Sequence, residues 1–175
     1  MTTNIHTELT VLHSGWASQW YPSPFSVKIR FTVEGEEEKV TFPSAEHWMM
    51  VQKALLFGDG EMARKILAVD EVSSASMSQV KSLGRLVQNF DEEKWVVERE
   101  RIVLEGNMHK FEQNKELSNK LVATGTKMIV ETSPRDRIWG VGFGEKNALN
   151  MKERWGLNLL GRALVETRRR IIISV

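Results

Sequence analysis

One stretch of the chain, residues 43–58 (PSAEHWMMVQKALLFG), is apolar around most of its circumference when it is wound as an α-helix. Trp48 and Val51 lie on one face, and Met49 and Phe57 make the opposite face apolar as well. A helix that is apolar all round is normally buried among other elements. The stretch therefore predicts a central helix against which the rest of the chain packs.

Two charged residues, Glu46 and Lys53, interrupt the second apolar face of this helix. They are two turns apart, roughly 10 Å along the axis, so they do not form an i,i+4 surface pair. Ionisable groups on a buried face are costly unless something compensates them, and we expect that a ligand does so. In the alternative interpretation, Glu46 only follows the N-cap Ser44 and Lys53 extends to solvent.

The composition excludes several classes of protein and of site. The 175 residues carry a formal charge of +1, which does not favour strong non-specific binding to nucleic acids. The chain has no cysteine, and its four histidines show no metal-ligand spacing, so we predict no metal and no cofactor. No secretory signal and no membrane span are recognisable, so the expected location is the cytoplasm, or the nucleus if the substrate is DNA.

Helix and turn signals divide the remaining chain into short elements. Alternating apolar residues predict strands at 9–13, 27–33, 40–42 and 127–133, with residues 34–39 as a hairpin tip. Further helices are predicted from their capping residues, namely Asp59, Ser73 and Asp91 at N-termini, Gly125 at a C-terminus and Asn158 before the last amphipathic helix.

The predicted helix after Asp91 carries basic residues inside its apolar stripe. Trp95 and Val96 belong to that stripe on a helical wheel, and Arg99 and Lys110 fall within it. Basic groups on a core-facing side indicate an anion or a carboxylate opposite them. Extension of both side chains to the edge of the stripe is the alternative.

Three loop or turn features are candidates for ligand contact. Residues 14–25 hold two tryptophans, including Trp20, and form either a core plug or a stacking surface. Gly84 interrupts a helical pattern, which indicates close approach by a backbone or a ligand. Residues 133–147 contain Asp136 and three closely spaced glycines, a composition that suits phosphate binding although the spacing matches neither GxGxxG nor a P-loop.

Several of these segments resemble, in order, the motifs of the NADAR family of YbiA-like N-glycosidases. They are PSAEHWMMVQKALLFGD, LGRLVQNFD followed by W, KFEQN, SPRDRIWGVG and WGLNLLGRALVETR. The resemblance runs from the loop around Trp20 to Arg168. It implies an α+β fold, a mainly helical single domain with a small antiparallel sheet, over residues 1–175 with a core at roughly 9–170. One departure is the loop WASQWYPSPF, where many members have F-S-N-F, and this difference affects how a base is held.

By matching motifs, the resemblance also implies the site. It assigns catalysis to Glu46, Lys53 and Asp136, and it places the substrate-binding residues at His47, Trp20, Gly84, Arg85, Trp95, Arg99, Trp139, Gly140 and Gly142. The implied reaction is hydrolysis of the C1′–N bond between a ribose and an exocyclic amine. A lysine with a lowered pKa would attack C1′ and form an imine, while the carboxylates handle protons in an order that the sequence leaves open. Direct attack by water, with Lys53 as an electrostatic clamp, is the alternative mechanism.

Two substrate classes are implied by the resemblance. They are guanine carrying ADP-ribose, as a nucleoside or in DNA or RNA, and phosphorylated ribosylamino-pyrimidines of riboflavin synthesis. We expect the first, because no riboflavin-pathway enzyme is fused within these 175 residues. A non-catalytic module that binds ADP-ribose or a nucleotide is the third interpretation. No membrane partner is expected, and the oligomeric state is not predicted.

Overall fold

The computed structural model describes residues 9–12 and 15–174, and side chains from residue 15 onwards. The fold is α+β and mainly helical, with a small antiparallel sheet, as predicted. The backbone forms two compact units, one of residues 1–18 and 115–175 and the other of residues 19–114. The single domain expected over residues 1–175 therefore stays a prediction. Among the described residues, none of the helices is long and apolar enough to cross a membrane.

The strands are β1 Leu9–Leu12, β2 Phe25–Ile29, β3 Glu38–Phe42 and β4 Met128–Glu131, and the helices are α1 Ala45–Leu56, α2 Gly60–Leu67, α3 Ser74–Arg85, α4 Glu92–Gln113, α5 Lys115–Ala123, α6 Glu145–Ala148 and α7 Leu159–Ile173. A 3₁₀ helix, Leu149–Arg154, follows α6. The last residue of the predicted first strand, residue 13, lies outside the described residues. Strand β2 begins two residues earlier than predicted and ends at Ile29, where the chain turns towards the hairpin tip.

The helices of the 19–114 unit begin at the predicted capping residues. The Ser44 side chain accepts a hydrogen bond from the backbone N–H of His47, and the Asp59 carboxylate accepts one from Met62. Ser73 and Asp91 cap α3 and α4 in the same way. Each cap satisfies an N–H group that has no partner within its own helix.

Helix α1 lies at the centre of the 19–114 unit, which confirms the burial predicted from its sequence within that unit. It packs against α2, α3 and α4. Trp48 is buried among the rings of Phe25, Phe42 and His109, and its indole N–H donates to the carbonyl of Ile102 at 2.8 Å. The packing of α1 against α4 fixes the position of both faces of α1, including the face that carries Glu46 and Lys53.

The strands form two separate pairs. Strands β2 and β3 are antiparallel, with Val27 opposite Val40, and they form the predicted hairpin. Strands β1 and β4 are parallel, with Leu9 opposite Met128. The sequence did not predict this second pair, because hydrophobic alternation identifies a strand without identifying a distant partner.

Asn158 has a different role from the one that we predicted. It precedes α7 as expected, but its side chain makes no capping hydrogen bond, and its φ angle is 50°. Its side-chain oxygen accepts from the N–H of Glu131 at 3.0 Å, and its amide donates to the carbonyl of Ile129 at 2.9 Å. The residue therefore satisfies backbone groups of β4. Asn tolerates this left-handed conformation better than most residues do.

Helix α4 buries its two basic stripe residues, but the prediction that Val96 belongs to the buried stripe was wrong. Arg99 and Lys110 are buried, with 9% and 0% of their surfaces exposed. Val96 is 42% exposed, because it is rotated by about 100° from Trp95 on the helix and points away from the packed side. The alternative in which both basic side chains extend to solvent is therefore wrong.

Burial of Lys110 should make stability depend on pH. Burial lowers the pKa of Lys110 to about 7, whereas an unfolded lysine has a pKa of about 10.4. Between these values the unfolded chain binds a proton that the folded chain does not, so the free energy of unfolding should rise with pH, by at most about 1.4 kcal/mol per pH unit. Urea denaturation at pH 7, 8 and 9 measures this slope. The slope should be smaller in Lys110→Met and unchanged in Lys120→Met, and equal slopes in both variants would contradict the assignment.

Candidate active site

The predicted site residues fall into two sets, one in each compact unit. The set within residues 19–114 comprises Trp20, Glu46, His47, Lys53, Gly84, Arg85, Trp95 and Arg99, and the set within residues 115–175 comprises Asp136, Trp139, Gly140 and Gly142. Each set is described within its own unit.

Lys53 lies on an aromatic surface near the end of α1. Its ammonium nitrogen is 4.4 Å from the ring centroid of Phe90 and 5.5 Å from that of Trp95, so both rings make cation–π contacts. The side chain is half-buried, and this burial lowers the pKa of Lys53. The charge of Glu92 raises this pKa, and the charge of Arg85 lowers it. A larger fraction of Lys53 is therefore the neutral amine, the form that can attack a carbon atom.

Glu46 is directed inward at the beginning of the same helix. It is 3% exposed, and its backbone N–H donates to the carbonyl of Gln19 at 3.0 Å. Its place in the first turn of α1, after the Ser44 cap, also favours a negative charge through the helix dipole. Both sequence interpretations of Glu46 thus describe one feature: a carboxylate at a helix N-terminus that is also buried.

Arg99 provides a buried cation one turn along α4 from Trp95. Its Nε atom is buried and has no hydrogen-bond partner among the described residues. A buried guanidinium N–H without a partner is costly, so this geometry suits an anionic ligand group. Of the predicted binding residues on α4, Trp95 contributes the ring beneath Lys53 and Arg99 contributes the unsatisfied donor.

Gly84 and Arg85 have different environments although they are adjacent in sequence. A Cβ atom on Gly84 would lie 2.0 Å from the sulfur of Met50, so this glycine allows α3 to approach α1. The close approach that we predicted is therefore to a side chain of the protein. Arg85 is exposed, and it donates to the Ser82 hydroxyl at 3.2 Å. Its exposed guanidinium can bind an anion, and its positive charge lowers the pKa of Lys53.

His47 is part of the framework of α1, which corrects its prediction as a substrate-binding residue. The ring is fully buried. Its Nδ1 atom is 2.8 Å from the Ser44 hydroxyl, and its Nε2 atom is 2.6 Å from the carbonyl of Val69. Both ring nitrogens are therefore occupied by the protein, and burial lowers the pKa of His47, which favours its neutral form.

Trp20 is half-buried, so the structure does not make it a fully buried core plug. Its neighbour Gln19 is buried, and the amide oxygen of Gln19 accepts a hydrogen bond from Asn107 at 3.1 Å. Stacking of Trp20 on a base stays a prediction.

Asp136 is held by the backbone of its own loop. One carboxylate oxygen accepts two hydrogen bonds, from the N–H of Ile138 at 2.9 Å and from the N–H of Trp139 at 2.8 Å. These two hydrogen bonds fix the orientation of the carboxylate in the loop. Both contacts use the same carboxylate oxygen, Oδ1.

The glycine-rich loop is fixed by backbone hydrogen bonds to the segment that precedes α7. The N–H of Leu160 donates to the carbonyl of Trp139 at 3.1 Å, and the N–H of Asn158 donates to that of Gly140 at 3.2 Å. A Cβ on Gly140 would lie 2.8 Å from the carbonyl oxygen of Glu131, and Gly142 has a φ angle of 78°. Both glycines are thus required by the fold of the loop, and phosphate binding by their N–H groups stays a prediction.

Glu131, at the end of β4, is a functional candidate that the sequence analysis missed. Its carboxyl oxygen Oε2 is buried without a hydrogen-bond partner among the described residues. Burial, and secondarily the charge of Asp136, raise the pKa of Glu131 to about 7. The available signal was its place as the last residue of a strand directly before the Asp136 loop, a place where polar residues are often functional.

Comparisons with known proteins agree with the family resemblance that the sequence motifs indicate. A family model described as the NADAR domain matches residues 7–172. N-glycosidase R617 of Acanthamoeba polyphaga mimivirus is 42% identical over 153 residues, which cover 86% of this chain and 84% of that protein. Riboflavin biosynthesis protein VVA0006 of Vibrio vulnificus is 29% identical over 154 residues, which cover 88% of this chain and 35% of that protein.

A solved structure has the same fold. The NMR structure of the E. coli protein YbiA matches with a TM-score of 0.67 and 24% sequence identity, over 96% of this chain and 87% of that one. The structural match supports a shared fold, and the sequence matches support common ancestry. One family match extends over both compact units. Taken together, the match over residues 7–172 and the relative at 42% identity show that this chain belongs to the NADAR family.

Proposed function

We propose that this chain is an N-glycosidase that hydrolyses the bond between a ribose C1′ and an exocyclic amine, and that its substrate is guanine carrying ADP-ribose. The observation that carries the proposal is the amine of Lys53, which lies on the rings of Phe90 and Trp95 and has a lowered pKa. The name of the mimivirus relative, N-glycosidase, supports the same class of reaction.

The proposed reaction begins when the ribose ring opens. The ring C1′–O bond breaks as the exocyclic nitrogen forms a double bond to C1′ and the ring oxygen takes a proton. The neutral amine of Lys53 then adds to C1′, and the C1′–N bond to guanine breaks while that nitrogen takes a proton. The resulting imine on Lys53 adds water at C1′ and releases the free sugar and the lysine amine. The net reaction consumes one water molecule.

Several residues of the 19–114 unit suit a phosphorylated sugar. Arg99 offers a buried Nε that lacks a partner among the described residues, and the exposed guanidinium of Arg85 adds a second positive charge. Phe90 is 43% exposed beside the lysine, so its exposed part can contact a flat base. A buried carboxylate, Glu46, is the proposed proton carrier on α1.

Phosphorylated ribosylamino-pyrimidines are the second candidate substrate, favoured by the relative from Vibrio vulnificus that is named a riboflavin biosynthesis protein. Both substrates are glycosylamines, so the same ring opening and imine exchange apply to each. The proposed location is the cytoplasm, or the nucleus if the guanine belongs to DNA.

The test compares the two substrates directly. Purified protein is incubated with ADP-ribosylated guanosine and, separately, with a phosphorylated ribosylamino-pyrimidine, and the released base or nucleoside is quantified by mass spectrometry. We expect a higher kcat/KM for the guanosine substrate. A higher value for the pyrimidine would assign the second substrate, and binding of ADP-ribosylated guanosine without release would make the chain a non-catalytic binding module.

A further inference from the structure

We propose that Glu131 is a positioning residue for the Asp136 loop, a buried carboxylic acid that stays neutral beside Asp136. This inference deepens the proposed function and rests on it. It arises from the 115–175 unit, where the two residues lie at either end of the segment that leads from β4 into the glycine-rich loop.

Gly140 brings the two acidic residues close to each other. A Cβ atom on this glycine would lie 2.8 Å from the carbonyl oxygen of Glu131, 3.3 Å from the Cγ of Glu131 and 3.0 Å from the carbonyl oxygen of Asp136. The N–H of Val141 donates to the Glu131 carbonyl at 2.9 Å. The chain therefore folds back so that Glu131 and Asp136 flank one glycine.

The two carboxyl groups have different environments. One oxygen of Asp136 accepts two backbone hydrogen bonds. Glu131 has a buried oxygen with no partner in the described part of the chain, and it is next to a negative charge. Burial without a hydrogen-bond partner, beside a second acidic residue, favours the protonated form of Glu131.

The other groups that pack against Glu131 do not supply a compensating charge. Asn158, from the segment before α7, brings an uncharged amide that binds the Glu131 N–H. Arg137 follows Asp136 in sequence, but its guanidinium donates to the carbonyl of Arg154 at 2.8 Å and lies 5.9 Å from the Phe143 ring. Asp136 is thus the charge that acts on Glu131 within the described residues of this unit.

The consequence is a limit on activity at alkaline pH. When Glu131 loses its proton, two negative charges lie in the Gly140 turn and weaken the binding of a phosphorylated substrate. We expect kcat/KM for ADP-ribosylated guanosine to fall roughly tenfold between pH 6.5 and pH 8.5 in the natural protein, and less than about twofold in Glu131→Gln, which is neutral throughout. An identical fall in both proteins, or an equal loss at every pH in the variant, would overturn the proposal.

A second measurement does not need activity and therefore separates this proposal from the proposed function. A carboxyl group whose pKa is raised in the folded state contributes stability that is present at low pH and lost as pH rises through its folded pKa, here about 7. The urea midpoint of Glu131→Gln should therefore shift upward relative to the natural protein between pH 5 and pH 8. The exposed control Glu145→Gln should show no such shift. If the urea midpoints of Glu131→Gln and the natural protein differed by the same amount at every pH, the proposal would be overturned. This holds even if no turnover of either substrate were found.

Discussion

Lys53→Met should abolish turnover, with kcat reduced by at least about 10³-fold on ADP-ribosylated guanosine, because it removes the amine that forms the covalent intermediate. The methionine retains a flexible apolar chain that can pack on Phe90 and Trp95. Since the lysine is held at a lowered pKa by burial, its neutral replacement also removes the cost of partly burying a charge. We therefore expect an inactive variant whose stability is equal to or greater than that of the natural protein.

The matched control is Lys94→Met. Lys94 is a neighbouring lysine at the start of α4, and its ammonium donates to the carbonyl of Leu56 at 3.1 Å and lies 5.6 Å from the Phe57 ring. It shares the local surroundings of Lys53, but no part of the proposed chemistry depends on it. The control should retain most of the turnover. Substantial turnover by Lys53→Met, measured as released guanosine, would contradict the role of Lys53.

Asp136→Asn should reduce kcat by about 10²- to 10⁴-fold, the contribution typical of a positioned acid or base. The asparagine oxygen can still accept the hydrogen bonds from Ile138 and Trp139, so the turn should persist while the charge is lost. Circular dichroism and the urea midpoint should therefore change little. The measurement is single-turnover release of guanosine across pH 5.5–8.5.

The control for Asp136→Asn is Glu153→Gln, which removes a negative charge from an exposed position in the same unit. Its kcat should be unchanged. If both variants lose activity to the same extent, the net charge of the unit, and not the Asp136 carboxylate, determines turnover.

Much of the fold could be predicted because local rules and tertiary packing agree. Ser44, Asp59, Ser73 and Asp91 cap helices as their side chains suggest. The all-round apolar pattern of α1 correctly indicated its central position. The parallel β1–β4 pair was not predictable in this way, since its partners are far apart in sequence and alternation carries no information about pairing.

The candidate site was predictable where a residue contradicted its local pattern. Arg99 and Lys110 were recognised because charges within an apolar stripe are unusual, and both are buried. His47 and Glu131 show the limits of that approach. A histidine in a helix gives no sign that Ser44 and Val69 occupy both ring nitrogens, and a glutamate ending a strand gives no sign that a later glycine brings Asp136 beside it.

Reduction with borohydride during turnover tests the central claim most directly. If Lys53 forms an imine with C1′, reduction should convert it into a stable secondary amine that carries the ADP-ribose mass, and peptide mapping should place that mass on Lys53. No such mass should appear on Lys94 or in the Lys53→Met variant. Continued release of guanosine in the natural protein with no sugar attached to Lys53 would contradict the covalent mechanism and leave direct attack by water.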